Sequence, residues 1–393
     1  MVLWFVSLCV HRLSSWYAVF VFPTLWVSYL YLFILLLAKG DITGLPIFSQ
    51  VQFPPTVQIV SITGLLGLSF LTILLPSGLI LSWYYRKTHQ KQAVLSLFST
   101  LSIIVVALAF GITSLQQNDS LPKLKVGLAA KSVLDFHSFL TERNKDPIAQ
   151  AHAFADTVHR LAENGAEYIL QPEKTLWVTP DDQREIFQIL SHSAQENKVY
   201  VFAPLALVHR LPQRNALYVF APNGNLVAAY NKMHLVSGFE SAFIPGNSLS
   251  TIPLPTGLIG LEICHDMDFL KPTKNYSQKG IGLLFVPAED FGVQTDGKWH
   301  AQVAIVQSIV GGFSLARSAY FGFLSATDPH GRILSWQPTV PGKEITAIVD
   351  VPIASGHTFY SRTGDWFPWL NCMGTLIFLG LIIKSCKNED IHL

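Results

Sequence analysis

Four long stretches of this chain contain no Asp, Glu, Lys or Arg: Leu13–Ala38, Val57–Tyr85, Ala93–Leu115 and Trp366–Ile383. A helix needs about 20 apolar residues to cross the hydrocarbon core of a bilayer. The chain is therefore predicted to span a membrane three times before its polar segment and once after it. Half of the residues are hydrophobic and only 13% are charged, against about 25% in an ordinary soluble domain. The net charge is +1, and Lys and Arg form no run or stripe, which excludes the electrostatic footprint of a nucleic-acid binder. No basic stretch precedes the first apolar run and no small-residue cleavage site follows it, so that run is read as a retained span.

Basic residues flanking the spans set an expected orientation, because Lys and Arg are retained on the cytoplasmic side. Arg12, then Arg86, Lys87 and Lys91, then Lys384 and Lys387 fall on one side if the N-terminus is cytoplasmic. The segment from Gln116 to Asp365 is then outside the cytoplasm. The expected organisation is a membrane region over residues 1–120, a catalytic domain over 121–355, and a linker, final span and short tail over 356–393.

Between about Lys123 and Pro352, short apolar runs alternate with amphipathic stretches, the signature of an α/β domain. Strands are predicted at Lys125–Ala129, Tyr168–Leu170, Val199–Ala203, Leu258–Ile263, Gly282–Val286, Phe313–Leu315 and Ile345–Val351. Helices are predicted at Ile148–Glu163, Asp182–Glu196 and Trp299–Val310. Asn223-Gly224, between two β-prone runs within Ala216–Tyr230, signals a hairpin.

Three places in this segment hold reactive side chains. Ile169-Leu170-Gln171-Pro172-Glu173 reads as a buried strand that delivers a carboxylate where the chain leaves the sheet, the region where α/β sheets gather ligand sites. Taken alone, Glu173 reads more readily as a solvated loop residue, since most Glu are exposed. Lys232, in Tyr230-Asn231-Lys232-Met233-His234-Leu235, follows the hairpin. With Glu240 eight residues on, it can stay protonated in a pocket and donate to a developing oxyanion. Of the four cysteines, Cys9, Cys372 and Cys386 lie in or beside apolar segments, and Cys264 alone lies in the polar region. Glu262-Ile263-Cys264-His265-Asp266 ends a β-prone run and leads into what reads as a helix with acidic residues in its first turn. A helix N-terminus and a nearby Lys favour the thiolate, whereas a nearby carboxylate serves as general base.

Pro172-Glu173, Tyr230–Leu235 and Glu262–Asp266, in that order, resemble the Glu, Lys and Cys motifs of the nitrilase, or carbon-nitrogen hydrolase, superfamily. Ala316-Arg317-Ser318 and the run Ser325–Arg332 are similar to its late strands. The resemblance implies an α/β fold of the αββα sandwich type, flanked in sequence by the transmembrane helices. It also implies convergence of Glu173, Lys232 and Cys264 at one pocket.

Outside that domain, Tyr360-Ser361-Arg362-Thr363-Gly364-Asp365-Trp366, Gln58–Leu71 and Pro23–Trp26 resemble segments of the apolipoprotein N-acyltransferases. In that family Glu240 would be the second carboxylate supporting the tetrahedral intermediate. His234, His265 and Asp266, beside Lys232 and Cys264 in this sequence, are read as candidates to line or back the substrate pocket. Members usually carry more N-terminal spans, so the chain is expected to be either a shortened relative or part of a longer reading frame. Ser237-Gly238-Phe239 stands in place of the usual Pro-Phe-Gly, and Cys264 is followed by His265-Asp266 rather than an aromatic and Glu.

The function implied is transfer of an acyl chain from a phospholipid, through a Cys264 thioester, to the α-amino group of a diacylglyceryl-modified apolipoprotein cysteine. It would occur at the bacterial inner membrane, with the catalytic domain on the periplasmic side. A monomer needing no cofactor or metal is expected, since the histidines lack ligand-like clustering. The alternatives are a membrane-anchored amidase or nitrilase and a non-enzymatic lipid-binding relative.

Overall fold

The computed structural model of the chain describes residues 2–117, 120–131, 146–353 and 356–390. The chain divides into two compact units, one built from Met1–Gln117 with Thr358–Leu393 and the other from Asn118–His357.

In the first unit, four helices among the described residues are long and apolar enough to cross a membrane: Trp16–Leu36, Leu65–Tyr85, Gln90–Leu115 and Trp366–Ser385. Two predicted runs are broken differently from the expectation. Ser14, at φ +42°, separates a preceding helix, Val2–Leu13, from the first span. Val57–Tyr85 is not one helix but the end of a short helix Pro54–Val57, a second short helix Val60–Thr63, and the span Leu65–Tyr85.

The cause of the second break is Gly64, at φ 69° and ψ −176°, a backbone region entered almost only by glycine. The Tyr360 ring lies over it so closely that a Cβ at position 64 would fall 2.5 Å from Tyr360 Cε2. Tyr360 Oη donates to Asp365 Oδ1 at 2.7 Å, and Trp366 Nε1 donates to the Ile62 carbonyl at 2.9 Å beside the break. The two sequence segments that resemble acyltransferase motifs, around Gly64 and from Tyr360 to Trp366, are thus packed on one another. The spans Leu65–Tyr85 and Gln90–Leu115 approach closely at Gly78, where a Cβ would sit 2.1 Å from Thr100 Oγ1. Small residues at such crossings allow the dense packing that holds helices together in lipid.

The second unit is a sandwich of two sheets. The first contains β1 (Lys123–Ala130), β2 (Tyr168–Leu170), β3 (Leu176–Val178), β4 (Tyr200–Leu207), β5 (Arg214–Phe220), β6 (Leu226–Asn231) and β13 (Ile345–Pro352), in the order β13-β1-β2-β4-β5-β6 with β3 beside β4. The second contains β7 (Ser250–Leu254), β8 (Gly257–Leu261), β9 (Ile281–Glu289), β10 (Ser314–Tyr320), β11 (Phe323–Thr327) and β12 (Ile333–Pro338), in the order β12-β11-β10-β9-β8-β7. Leu128, Leu170, Phe202 and Leu217 of the first sheet interlock with Leu261, Phe285, Ala316 and Leu324 of the second. The Phe202 and Phe285 rings stack across the interface at 4.0 Å.

Helices α1 (Pro147–Glu163) and α2 (Gln183–Asn197) cover the outer face of the first sheet through Phe154, Val158, Ile186 and Leu190. Helices α3 (Leu270–Lys279) and α4 (Asp296–Gly311) cover the second through Tyr276 and Ala304. The order of layers is αββα, and apolar burial of this kind contributes about 1.5–3 kcal/mol per large side chain. The Asn223-Gly224 signal is realised as the turn between β5 and β6, with Gly224 at φ +81°. Phe313–Leu315 proves to be the start of a longer strand, and β3, β7, β11 and β12 are short strands that the apolar pattern did not mark out separately.

Candidate active site

Strand direction brings the reactive residues to one edge of the sandwich. β2 and β4 run parallel, β5 runs antiparallel to β4, and β6 is antiparallel to β5. The C-terminal ends of β2 and β6 and the N-terminal end of β5 therefore share an edge. These ends carry Glu173 and Lys174, Lys232, and Asn215 respectively. In the second sheet β8 and β9 are parallel, and their ends deliver Cys264 and Glu289. A backbone hydrogen bond from Glu173 N to Ala288 O at 3.3 Å ties the two edges together.

Lys232 is 1% exposed, and its Nζ lies 2.8 Å from Glu173 Oε1 and 2.8 Å from Glu240 Oε2. The backbone reinforces this placement: Lys232 N donates to Asn215 O at 2.9 Å, and Val236 N donates to Glu240 Oε2 at 2.9 Å. The structure thus brings Glu173, Lys232 and Glu240 together at contact distance, with Cys264 close enough for Glu173 and Lys232 both to act on its ionisation. The Cys264 Sγ donates to the Glu289 carbonyl at 3.8 Å, and the residue remains part exposed.

The electrostatics follow from burial and pairing. Burial by itself would raise the Glu173 carboxyl, but the Lys232 ammonium, Lys174 and the hydrogen bonds from Lys232 and Asn215 outweigh it and hold Glu173 at about 2. Lys232 stays well above the ordinary lysine value, because Glu173, Cys264 and Glu240 overcome its desolvation. Burial and the Glu173 charge push the Cys264 thiol well above its ordinary range, with Lys232 opposing them. The anticipated α-helix N-terminus at this thiol is absent. Cys264–Asp268 is a single 3-10 turn, the chain is extended at Phe269, and α3 begins only at Leu270. Cys264 itself is held at φ +48°.

Asp266, expected in the substrate pocket, is instead fully buried with its carboxylate consumed by protein donors. It accepts from Tyr230 Oη at 2.8 Å, Met233 N at 3.1 Å, His234 N at 2.7 Å and Ile263 N at 3.2 Å, and it lies 2.9 Å from His234 Nδ1. It clamps the loop after Lys232 to the turn that carries Cys264. His234 is part exposed and stacks on Phe269 at 3.7 Å. His265, also part exposed, pairs with Asp268 at 2.7 Å.

Three residues not anticipated from the sequence complete the cluster. Asn215 Nδ2 donates to Glu173 Oε1 at 2.6 Å and to Glu240 Oε1 at 2.7 Å. An Asn at the start of a β-prone run is against strand preference, and that was the available signal. Lys174 and Glu289 pair at 3.1 Å; each looked like an ordinary strand-end charge. Deeper in the second sheet, Arg317 gives Nη2 to both oxygens of Asp290 at 2.7 and 2.9 Å. Asp290, Asp296 and His300 bring their ligand-type atoms within 4.8 Å of one another, but Asp290 is already committed to Arg317.

The carbon-nitrogen hydrolase sequence profile matches residues 140–356. Over 401 residues the chain is 23% identical to an apolipoprotein N-acyltransferase of Geobacter metallireducens, covering 94% of this chain and 75% of that protein. It is 25% identical to the apolipoprotein N-acyltransferase of Thermotoga maritima, covering 85% of this chain and 64% of the relative. An omega-amidase of Mus musculus is 31% identical over 212 residues, 45% of this chain and 75% of the amidase. The crystal structure of an amidase from Nesterenkonia sp. superposes with a TM-score of 0.50 at 16% identity, over 64% of this chain and 96% of that one. With the family profile spanning more than half of its length and the two-sheet sandwich beneath it, the chain belongs to the carbon-nitrogen hydrolase family.

Proposed function

We propose that the chain is an N-acyltransferase that moves an acyl chain from a phospholipid to the α-amino group of a lipid-modified N-terminal cysteine of an apolipoprotein. The observation that carries this reading is the conjunction of a Lys232 ammonium gripped by Glu173 and Glu240 beside Cys264 with four apolar helices of membrane-crossing length. The similarity to the Geobacter acyltransferase runs through both parts, whereas the similarity to the mouse amidase is confined to less than half of the chain.

In the first half-reaction, Cys264 Sγ attacks the ester carbonyl while its proton passes to Glu173, and Lys232 donates to the oxyanion. The raised thiol pKa means that the sulfur is protonated at rest, so the proton must leave as the S–C bond forms. At rest Glu173 is a weak base, because Lys232 holds it near 2. An oxyanion competes for the same ammonium, and loosening the Lys232–Glu173 contact raises the proton affinity of Glu173 at the moment it is needed. Glu173 then returns the proton to the departing lysophospholipid oxygen, leaving the acyl group on sulfur. In the second half-reaction the amine attacks the thioester, Glu173 takes the amine proton, and the thiol is restored. Glu240 supports this cycle by holding Lys232.

The site would act outside the cytoplasm at the inner membrane, within a single chain. A reporter active only outside the cytoplasm should work when fused near Lys123 and fail at Lys87; the reverse pattern rejects this orientation. For the chemistry, phospholipid alone should place one hydroxylamine-labile acyl group on the peptide containing Cys264, and Cys264→Ala should abolish it. An amidase is the second reading, favoured by the mouse relative. Labelling of Cys264 by a small amide but never by phospholipid would establish it in place of the first.

A further inference from the structure

Between the second sheet and α4, four ionisable side chains meet apart from the Glu173–Lys232 pair: Asp268 in the turn that Cys264 opens, Asp290 just past β9, His300 on α4 and Arg317 of β10. Arg317 gives Asp290 a permanent counter-charge. Asp268, 3% exposed, is paired instead with two histidines, His265 at 2.7 Å and His300 at 3.7 Å. A buried carboxylate stays ionised only when such partners offset its desolvation.

The His300 ring lies between the two acids. Its Nδ1 is 3.1 Å from Asp290 Oδ1, and its Nε2 is at the 3.7 Å ion-pair distance from Asp268 Oδ2. Only the imidazolium carries N–H groups at both nitrogens, so the ring joins both carboxylates when charged and serves one of them when neutral. Burial and Arg317 disfavour the charge, but the hydrogen bond with Asp290 and the charges of Asp268 and Asp290 outweigh them and raise His300 above its ordinary 6.5. Among the described residues, Asp296 on the same helix and His265, through Asp268, are the other ionisable groups around it.

Each end of this bridge bears on the thiol. Asp268 closes the five-residue turn Cys264–Asp268. Asp290 follows directly on Glu289, whose carbonyl accepts from Cys264 Sγ. α4 also grips the turn by a neutral link, from Gln307 Nε2 to the Met267 carbonyl at 2.9 Å.

We propose that His300 is a positioning residue of this site: its ring bridges Asp268 and Asp290 and so holds the turn that carries Cys264 against the end of β9. The role rests on Cys264 as the nucleophile and not on which acyl donor is used. A group raised in the folded state contributes fully below its ordinary 6.5 and loses that contribution as pH climbs through the raised value. The turn is therefore held most firmly in mild acid and loosens in mild alkali.

The test is hydrogen–deuterium exchange of the full chain in detergent, read by mass spectrometry, which needs neither a substrate nor an ionised thiol. The amides of Asp266, Phe269 and Asp290 donate to the Ile263, Asp266 and Tyr320 carbonyls, so peptides covering 263–270 and 286–292 report on the two ends of the bridge. His300→Gln keeps a donor but no charge. At about pH 6 it should speed exchange in both peptides by about tenfold or more, the loss of one charge-assisted hydrogen bond. At about pH 9 the ratio of variant to wild type should fall toward one, as the wild-type ring gives up its proton. Peptides from β4 and β5 should exchange alike in both proteins. Asp268→Asn should open 263–270 as well, and His300→Gln added to it should bring little more, because the bridge is already cut. In the wild type alone, protection of 263–270 relative to β4 should drop over the same pH range, a measurement that does not require any variant to fold. Equal exchange in His300→Gln and wild type at about pH 6, a ratio that does not change with pH, additive effects in the double variant, or faster exchange in β4 and β5 as well would each overturn the inference. Phospholipid loading separates it from the chemistry. A wild type that never loads removes the acyl-transfer reading and leaves the exchange result standing, whereas equal loading rates in wild type and His300→Gln at about pH 6 would remove the positioning role.

Discussion

Replacing Asp266 with Ala should both destabilise the catalytic unit and slow Cys264 acylation, because its buried carboxylate ties the loop after Lys232 to the turn that carries Cys264. The carboxylate accepts from four protein donors besides its contact with the His234 ring. Met233 and His234 are part exposed, so water can replace the lost acceptor at their N–H groups. Tyr230 and Ile263 are buried, and their O–H and N–H would be left without a partner. At about 1–3 kcal/mol for each stranded buried donor, the loss is about 2–6 kcal/mol. For a unit of this size that corresponds to a melting point lower by about 5–20 °C. Asp266→Asn keeps the volume and one acceptor oxygen and should lose roughly half as much on the same arithmetic. Tryptophan fluorescence on heating is a suitable assay, because Trp177, Trp299 and Trp336 all lie in this unit. If Asp266→Ala melts within about 2 °C of wild type, less than 1 kcal/mol on that scale, the clamp between the Lys232 loop and the Cys264 turn is not what stabilises the site.

Glu240→Gln should leave the domain folded but slow loading of Cys264 by about 10²–10³, because Lys232, which donates to the oxyanion, loses one of the two carboxylates that hold it; unchanged turnover would return Glu240 to a packing role. Gly64→Ala adds a Cβ 2.5 Å from the Tyr360 ring at a backbone angle reserved for glycine, and should cost about 1–3 kcal/mol, seen as a lower melting point in detergent; equal melting would contradict the break at Gly64. Glu262 is fully buried and neither of its carboxyl oxygens has a hydrogen-bond partner among the described residues, so burial raises it well above its ordinary value of 4.5. A raised acid contributes its full stability below 4.5 and loses about 1.4 kcal/mol per pH unit as pH climbs toward its folded value. Glu262→Gln should accordingly stabilise the fold at pH 8 and confer little at pH 5, and a melting-point difference independent of pH would contradict this.

Where sequence periodicity coincides with burial, the elements were legible. Tyr168–Leu170 emerges unchanged as β2, and Ile148–Glu163 and Asp182–Glu196 lie within a residue of α1 and α2 at each end. The edge strand β7 was not, because Pro253 interrupts it and proline is confined to sheet edges. Hydropathy also missed the break at Gly64, where the backbone takes a conformation entered almost only by glycine and a tyrosine almost 300 residues away packs over it. The same distance problem explains the site. Glu173, Lys232 and Cys264 were each weak signals at a strand end and stood out through their joint resemblance to the motifs of the family, but the weight of Asn215, Lys174 and Glu289 comes only from tertiary pairing. Asp266 read as a first-turn helix acid, and its partners lie over 30 residues upstream at Tyr230, Met233 and His234.

The central claim is that Cys264 carries an acyl group between a lipid donor and an amine. Enzyme loaded with phospholipid, freed of excess donor, and then mixed with a diacylated lipopeptide is the direct measurement. With a free α-amino group on the lipopeptide cysteine, the thioester on Cys264 should vanish while the lipopeptide gains the mass of one acyl chain as an amide; with an acetylated N-terminus, the thioester should persist. If the lipopeptide never gains an acyl chain while the enzyme hydrolyses a small amide, the acyl-transfer account is contradicted.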